Sequence, residues 1–259
     1  MIALATALVA LWYALRAAAR WSPRAGSVVT QLSPHTRRLH AWVLSAPATF
    51  TYIAVFSAST VIARDAPSHL ISMLTVRQGT SPTRLAADPT VLLTSALWVA
   101  NGGAASGLYA AVFATVVAWA ERRYGTPRIV LIGAAGHVLG SLLTAVILQR
   151  AIASGYLSDR LARTADVGVS YVLVAGVAAA VILVHGWRRT AGATALAAAL
   201  LIPLAVNRTI WDLGHVLAAL CGLAAAMVSL AIAPTRASSW REPPRGDLDA
   251  RPLSGTQTP

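Results

Sequence analysis

Hydrophobic residues in this chain are gathered into long, nearly unbroken blocks, without the alternating or amphipathic rhythm of a water-soluble fold. The blocks run over Met1 to Leu15, Ala41 to Ala63, Val99 to Ala120, Ile129 to Ala151, Val167 to Trp187, Ala191 to Val206 and Trp211 to Ala233. Most approach the roughly 20 residues that a helix needs to cross a bilayer; the first and sixth are shorter. In hydrocarbon every backbone polar group must be satisfied within the protein, so helices are the expected form. Strands would need alternating polarity and closure into a barrel. The pattern predicts about seven transmembrane helices. It divides the chain into an N-terminal helix with a basic linker (1–40), a membrane domain (41–233) and a polar C-terminal tail (234–259) expected to be disordered.

Composition strengthens this reading. Hydrophobic residues make up 56% of the 259 and charged residues 12%, against about 25% charged in a soluble domain, and the mean hydropathy is +0.63. All 21 basic residues are arginine, for a net charge of +12. These arginines sit between the apolar blocks and form no single face or stripe. They therefore read as topology signals and not as a nucleic-acid surface. Arg16, Arg20, Arg24, Arg37 and Arg38 precede the second block without an acid among them. Arg122, Arg123 and Arg128 follow the third with only Glu121. Both segments are expected on the cytoplasmic side, and alternation then puts the loops before Val167 and Trp211 on the outer side. One cysteine, Cys221, excludes an internal disulfide, and no metal-ligand cluster is present in the pattern. No cofactor is expected.

Polar groups inside apolar blocks are costly and mark candidate chemistry. Here they are Asn101, His137, Asp166, Ser170, Asp212 and His215. On this topology Ser170 and His215 lie at similar depths, about one turn below the outer surface at ~1.5 Å per residue. A serine and a histidine brought together there form a nucleophile and general-base pair. Asp212, one turn before His215, is either a structural hydrogen-bond partner or an orienting carboxylate, and Asp166 is a second orienting candidate. His137 is expected to be an interhelical hydrogen bonder. Inverted repeats and midplane charges of the kind used by solute transporters are not evident.

Several stretches resemble the rhomboid family of intramembrane serine proteases. Gly168-Val169-Ser170-Tyr171 is similar to the family's Gly-x-Ser-Gly, and His215 is followed by Ala218 and Gly222 where the family has a histidine before Gly-x-x-x-Gly. Leu92-Leu93-Thr94-Ser95-Ala96-Leu97 resembles the run into the second core helix, and Glu121-Arg122-Arg123-Tyr124-Gly125 with Arg128 resembles its end. The resemblance implies an all-α, six-helix rhomboid-like core plus one extra N-terminal transmembrane helix in a multi-pass protein of the cell membrane. It implies cleavage of membrane-anchored substrates by a Ser170/His215 dyad, without metal or cofactor. Gly168, Asn101, Asp212 and Asp166 are the oxyanion or orienting candidates. Expected partners are the lipid bilayer and transmembrane substrates or clients. Two positions depart from the pattern. Tyr171 replaces a glycine and is expected to crowd the contact between the fourth and sixth core helices. The His-x-x-x-Asn of the second core helix is absent from Ala104-Ala105-Ser106-Gly107-Leu108-Tyr109, with Asn101 about two turns nearer the outer surface. The alternative is a catalytically inactive relative that binds or escorts membrane proteins.

Overall fold

The computed structural model describes residues 2–64, 79–99, 104–163 and 168–235; Asn101, Asp166 and the C-terminal tail lie outside them. The described elements are helical. They are α1 (Ile2–Ala18), α2 (Pro23–Leu44), α3 (Pro47–Arg64), α4 (Pro82–Ala87), α5 (Val91–Ser95) and α6 (Ala104–Val112), which passes through a π-helical turn (Phe113–Val117) into α7 (Ala118–Tyr124). After these come α8 (Thr126–Ala153), a 3-10 turn (Asp159–Arg163), α9 (Val169–Leu183), α10 (Trp187–Asn207) and α11 (Ile210–Ile232).

Among the described residues, three helices are long and apolar enough to cross a bilayer, namely α8, α10 and α11, and α9 is a shorter apolar helix of the same character. The basic stretch presented by the sequence as a linker is helical over Pro23–Leu44. It meets Pro47–Ile62 at a 90° bend, and the two together pass the same test as one bent span. Ser22 caps the first of these helices and Pro23 supplies a preset φ at its start, which explains why so polar a segment begins a helix where it does.

Lipid supplies no hydrophobic drive for one helix to leave it for another, so the bundle is held by close packing at small residues. At Gly140 an added Cβ would lie 2.9 Å from the Cα of Ala218, and at Gly222 it would lie 2.6 Å from the Cα of Ala175. At Gly136 it would strike Ala175 and approach the Ala218 carbonyl at 3.0 Å. Helices α8, α9 and α11 therefore touch backbone to backbone, and this trio carries the candidate chemistry. A second cluster binds α3 to the π-helical turn. Tyr52, Phe56 and Phe113 meet edge-on or tilted at centroid distances of 5.2 to 5.7 Å.

The segment at the end of α7 staples four parts of the fold. Glu121 is 1% exposed, and its carboxylate accepts the backbone N–H groups of Ala48 (3.0 Å) and Thr49 (2.8 Å) at the start of α3. It also accepts the Thr126 hydroxyl at the start of α8 (2.7 Å). Opening amides of a helix lack intrahelical acceptors, and an anion there also meets the positive end of the helix dipole. Tyr124 donates to the Ala179 carbonyl in α9 at 3.1 Å. Gly125, at φ +87°, makes a turn that an L side chain would strain, and Arg128 then reaches the carbonyls of Ala233 and Pro234 beyond α11 at 3.0 and 3.2 Å.

Candidate active site

Ser170 is the second residue of α9 and His215 the sixth of α11, so both stand near the same end of the bundle. The close approach of the two helices brings the Ser170 Oγ to 2.8 Å from the His215 Nε2. Both side chains are partly buried. That separation is an ordinary hydrogen bond, and the hydroxyl donates in it when the proton of a neutral imidazole sits on Nδ1. The Asp212 carboxylate and the backbone of Trp211, three and four residues back in the same helix, are both near enough to act on the imidazole electrostatically.

Tyr171 does not crowd the two helices apart, contrary to what its size leads one to expect. Its ring is 1% exposed and meets the His215 imidazole edge-on at 5.2 Å between centroids. Room for it exists because position 214 is glycine, where a Cβ would collide with the Tyr171 hydroxyl. The bulk gained at one position is offset by the side chain missing at the other. An edge-to-face contact of this kind contributes about 0.5–1.5 kcal/mol.

The other candidates fall out differently. Asp212 is spent on the start of α11. Thr209 donates its hydroxyl to Asp212 Oδ2 at 2.5 Å and accepts the Asp212 N–H at 3.2 Å, a reciprocal capping box. Asp212 is thus bonded to Thr209 and not paired with His215 as the structural alternative expected, and the ring packed nearest the imidazole is that of Tyr171. The N–H of Gly168 donates to the Ser95 carbonyl at 2.9 Å and is committed to that bond. A Cβ at Gly168 would overlap the His137 imidazole, so this glycine is required by close packing at the threshold of α9.

His137 explains that packing. It is 3% exposed, and its Nε2 lies 2.6 Å from the Leu92 carbonyl and 3.2 Å from the Ser95 Oγ. It is the interhelical hydrogen bonder expected from the sequence, and its partner is the short helix α5. Tyr52 adds a second tie by donating to the Ala96 carbonyl at 2.5 Å. Residues 92–96 are therefore anchored to α3, to α8 and, through Gly168, to the start of the helix that carries Ser170. Sequence reasoning identified the Leu92 to Leu97 stretch as a motif but gave no role to its backbone carbonyls, since a carbonyl leaves no trace in side-chain identity. Gly214 was missed for a related reason: its use appears only once Tyr171 is placed opposite.

Residues 41–234 match the model of a protein family described as rhomboid-like protein. Neither the curated proteins nor the solved structures include a match. The match takes in the helical trio and every residue of the site described above. The chain accordingly belongs to the rhomboid-like family of membrane proteins.

Proposed function

We propose that this chain is an intramembrane serine protease of rhomboid type, with Ser170 as nucleophile and His215 as general base. The observation that carries the reading is the 2.8 Å separation of Ser170 Oγ and His215 Nε2 between two helices held in backbone contact. In this mechanism the hydroxyl gives its proton to Nε2 as Oγ attacks a peptide carbonyl, forming a tetrahedral oxyanion. The imidazolium then returns the proton to the leaving amine, and a water activated by the same nitrogen hydrolyses the acyl-enzyme. Ser170 lies in the first turn of α9, where the Tyr171 and Val172 N–H groups donate to the Gly168 carbonyl and the amides of Val169 and Ser170 are left as the oxyanion donors of this proposal. Those amides serve the oxyanion in place of the side chains missing from Ala104 to Tyr109. The same proposal includes six core spans with an additional N-terminal helix, residence in the cell membrane, and cleavage of membrane-anchored substrates close to the outer surface.

A fluorophosphonate probe in detergent micelles tests it. Covalent labelling is expected on the full chain, lost in Ser170→Ala and reduced by at least two orders of magnitude in His215→Ala. Labelling that survives Ser170→Ala defeats the assignment. One observation favours a second reading, that of a silent protein escorting membrane clients: the His-x-x-x-Asn side chains are absent from the second core helix. Removing a single oxyanion donor costs about 100- to 1000-fold in a well-studied case, so a site without those donors is expected to be slow. Cleavage of a transmembrane substrate that disappears in Ser170→Ala eliminates this second reading.

A further inference from the structure

Helix α2 meets α3 at 90°, and the two differ in what they would place in lipid. Apart from Arg64 at its end, α3 has no charged residue, and its 18 residues rise about 27 Å, close to the roughly 30 Å of hydrocarbon in a bilayer. Just past the midpoint of α2 comes Pro34-His35-Thr36-Arg37-Arg38 instead. A span centred there would hold two guanidinium groups in hydrocarbon, together with a Thr30 carbonyl that Pro34 has no N–H to satisfy. Those costs favour α3 as the crossing arm, which turns the perpendicular α2 into the plane of the membrane. Their corner lies beside the end of α7, where Glu121 accepts the Ala48 and Thr49 amides.

The face that α2 leaves open suits that position. Val28, Leu32 and Leu39 stand at i, i+4 and i+11, within about 40° of one another around a helix of ~3.6 residues per turn, and they are 39%, 43% and 62% exposed. Ser27, Thr30, Pro34 and Arg37 occupy the opposite side, while Arg24 and Arg38 flank the stripe at about 60° and 100° from its centre. Trp42 shows which way the helix is turned. Its indole N–H donates to the Ala114 carbonyl at 2.8 Å, and Ala114 precedes Glu121 by seven residues, about 10 Å deeper in the bundle. Around the axis Trp42 is about 60° from the centre of the stripe and about 140° from Arg37. The stripe thus shares the inward half of the helix with Trp42, and Arg37 is on the outward half.

We propose that α2 is an interfacial helix, laid flat on the phospholipid surface at the cytoplasmic face of the bundle, with Val28, Leu32 and Leu39 between acyl chains and Arg24 and Arg38 at the level of the phosphates. A segregated apolar face on a helix of low net hydrophobicity is the pattern of helices that lie in a membrane and do not cross it. An apolar stripe with a basic flank matches the boundary where acyl chains give way to phosphates. A soluble partner or a second copy would match it only by carrying an apolar strip edged with acid. Long arginine stems reach along such a boundary without drawing charge into hydrocarbon. Through Trp42 and the π-helical turn, this surface helix is joined to the rod formed by α6 and α7. The proposal does not depend on proteolysis.

Spin labelling of the full chain in phosphatidylcholine vesicles provides the test. Single labels are placed through Val28→Cys, Leu32→Cys, Leu39→Cys and Thr30→Cys in a Cys221→Ala background, and their accessibility to oxygen and to a water-soluble nickel chelate gives their depth. The three stripe labels should favour oxygen and read one common depth, about 5–10 Å into the boundary of headgroups and acyl chains. The Thr30 label should favour nickel. A crossing helix would instead separate Val28 and Leu39 by about 16 Å in depth. Adding Leu32→Glu should drive the Val28 and Leu39 labels toward nickel; these positions on α2 are all exposed, so the variants are expected to fold. Graded depth overturns the proposal, as do stripe labels open to nickel or shielded from both reagents, the last being the mark of a protein partner or second copy. Depths unchanged by Leu32→Glu overturn it too.

Discussion

Replacing Gly222 by alanine tests the physical basis of the site directly. The new methyl carbon would lie 2.5 Å from Ala175 Cβ, 2.6 Å from its Cα and 3.1 Å from its carbonyl oxygen. Two of these are backbone atoms, which no rotamer change can move. Carbon atoms rest at about 3.5–4.0 Å, so α9 and α11 must part by about 1 Å at this level. Gly222 is seven residues after His215, which is two turns along the same face of α11, and Ala175 is five after Ser170. Transmitted along rigid helices, the displacement lengthens the 2.8 Å dyad contact to nearly 4 Å, beyond hydrogen-bond range. Overpacking of this kind destabilises by about 1–3 kcal/mol, and a misplacement of about 1 Å lowers reactivity about 100-fold. The assay has two arms, unfolding midpoint in detergent and the rate of fluorophosphonate labelling. Leu220→Ala, at a position 55% exposed on the same helix, should leave both near wild type. A folded Gly222→Ala protein with unchanged midpoint and unchanged labelling would refute the claim that helix contact at small residues sets the dyad distance.

Other expectations follow from particular contacts. Glu121→Gln replaces one acceptor oxygen by a donor that faces the Thr49 N–H, or else the Ala48 N–H and the Thr126 hydroxyl, and should cost about 3 kcal/mol, measured as a lowered unfolding midpoint. A loss under 0.5 kcal/mol would show that the carboxylate is not the staple described. His137→Phe keeps an aromatic ring and loses the bond to the Leu92 carbonyl, so residues 92–96 should loosen. Hydrogen exchange at the Gly168 amide, which donates to Ser95, should accelerate, and unchanged exchange would count against the linkage. Asp212→Asn should lower stability by about 1 kcal/mol or less, through the helix cap, and leave probe labelling of Ser170 intact. A large loss of labelling would instead make that carboxylate a partner of His215.

The membrane character and much of the family pattern were legible in the sequence because they depend on local rules. A block such as Ile129 to Ala151 has only one low-energy way to place its backbone in hydrocarbon, and helix α8 covers it entirely. The pairing of Ser170 with His215 was also readable as an expectation, since topology puts the two at one depth and small residues nearby let their helices approach. Locality also explains what was not visible. The helix over Pro23–Leu44 has a weak apolar signal and so appears as a basic stretch, although the Ser22 cap and Pro23 mark its start.

What the sequence determined by itself was the membrane character of this protein and its rhomboid-like pattern, because hydrophobic length and short motifs are carried by each segment separately. Only the tertiary structure decided which groups each polar residue serves. Asp212 caps its own helix, the Gly168 amide is taken by Ser95, and Tyr171 fits because a glycine 43 residues later makes space for it. Such assignments depend on angstrom-scale distances between segments remote in the chain. No single segment encodes them, since each is the joint result of two helix faces pressed together.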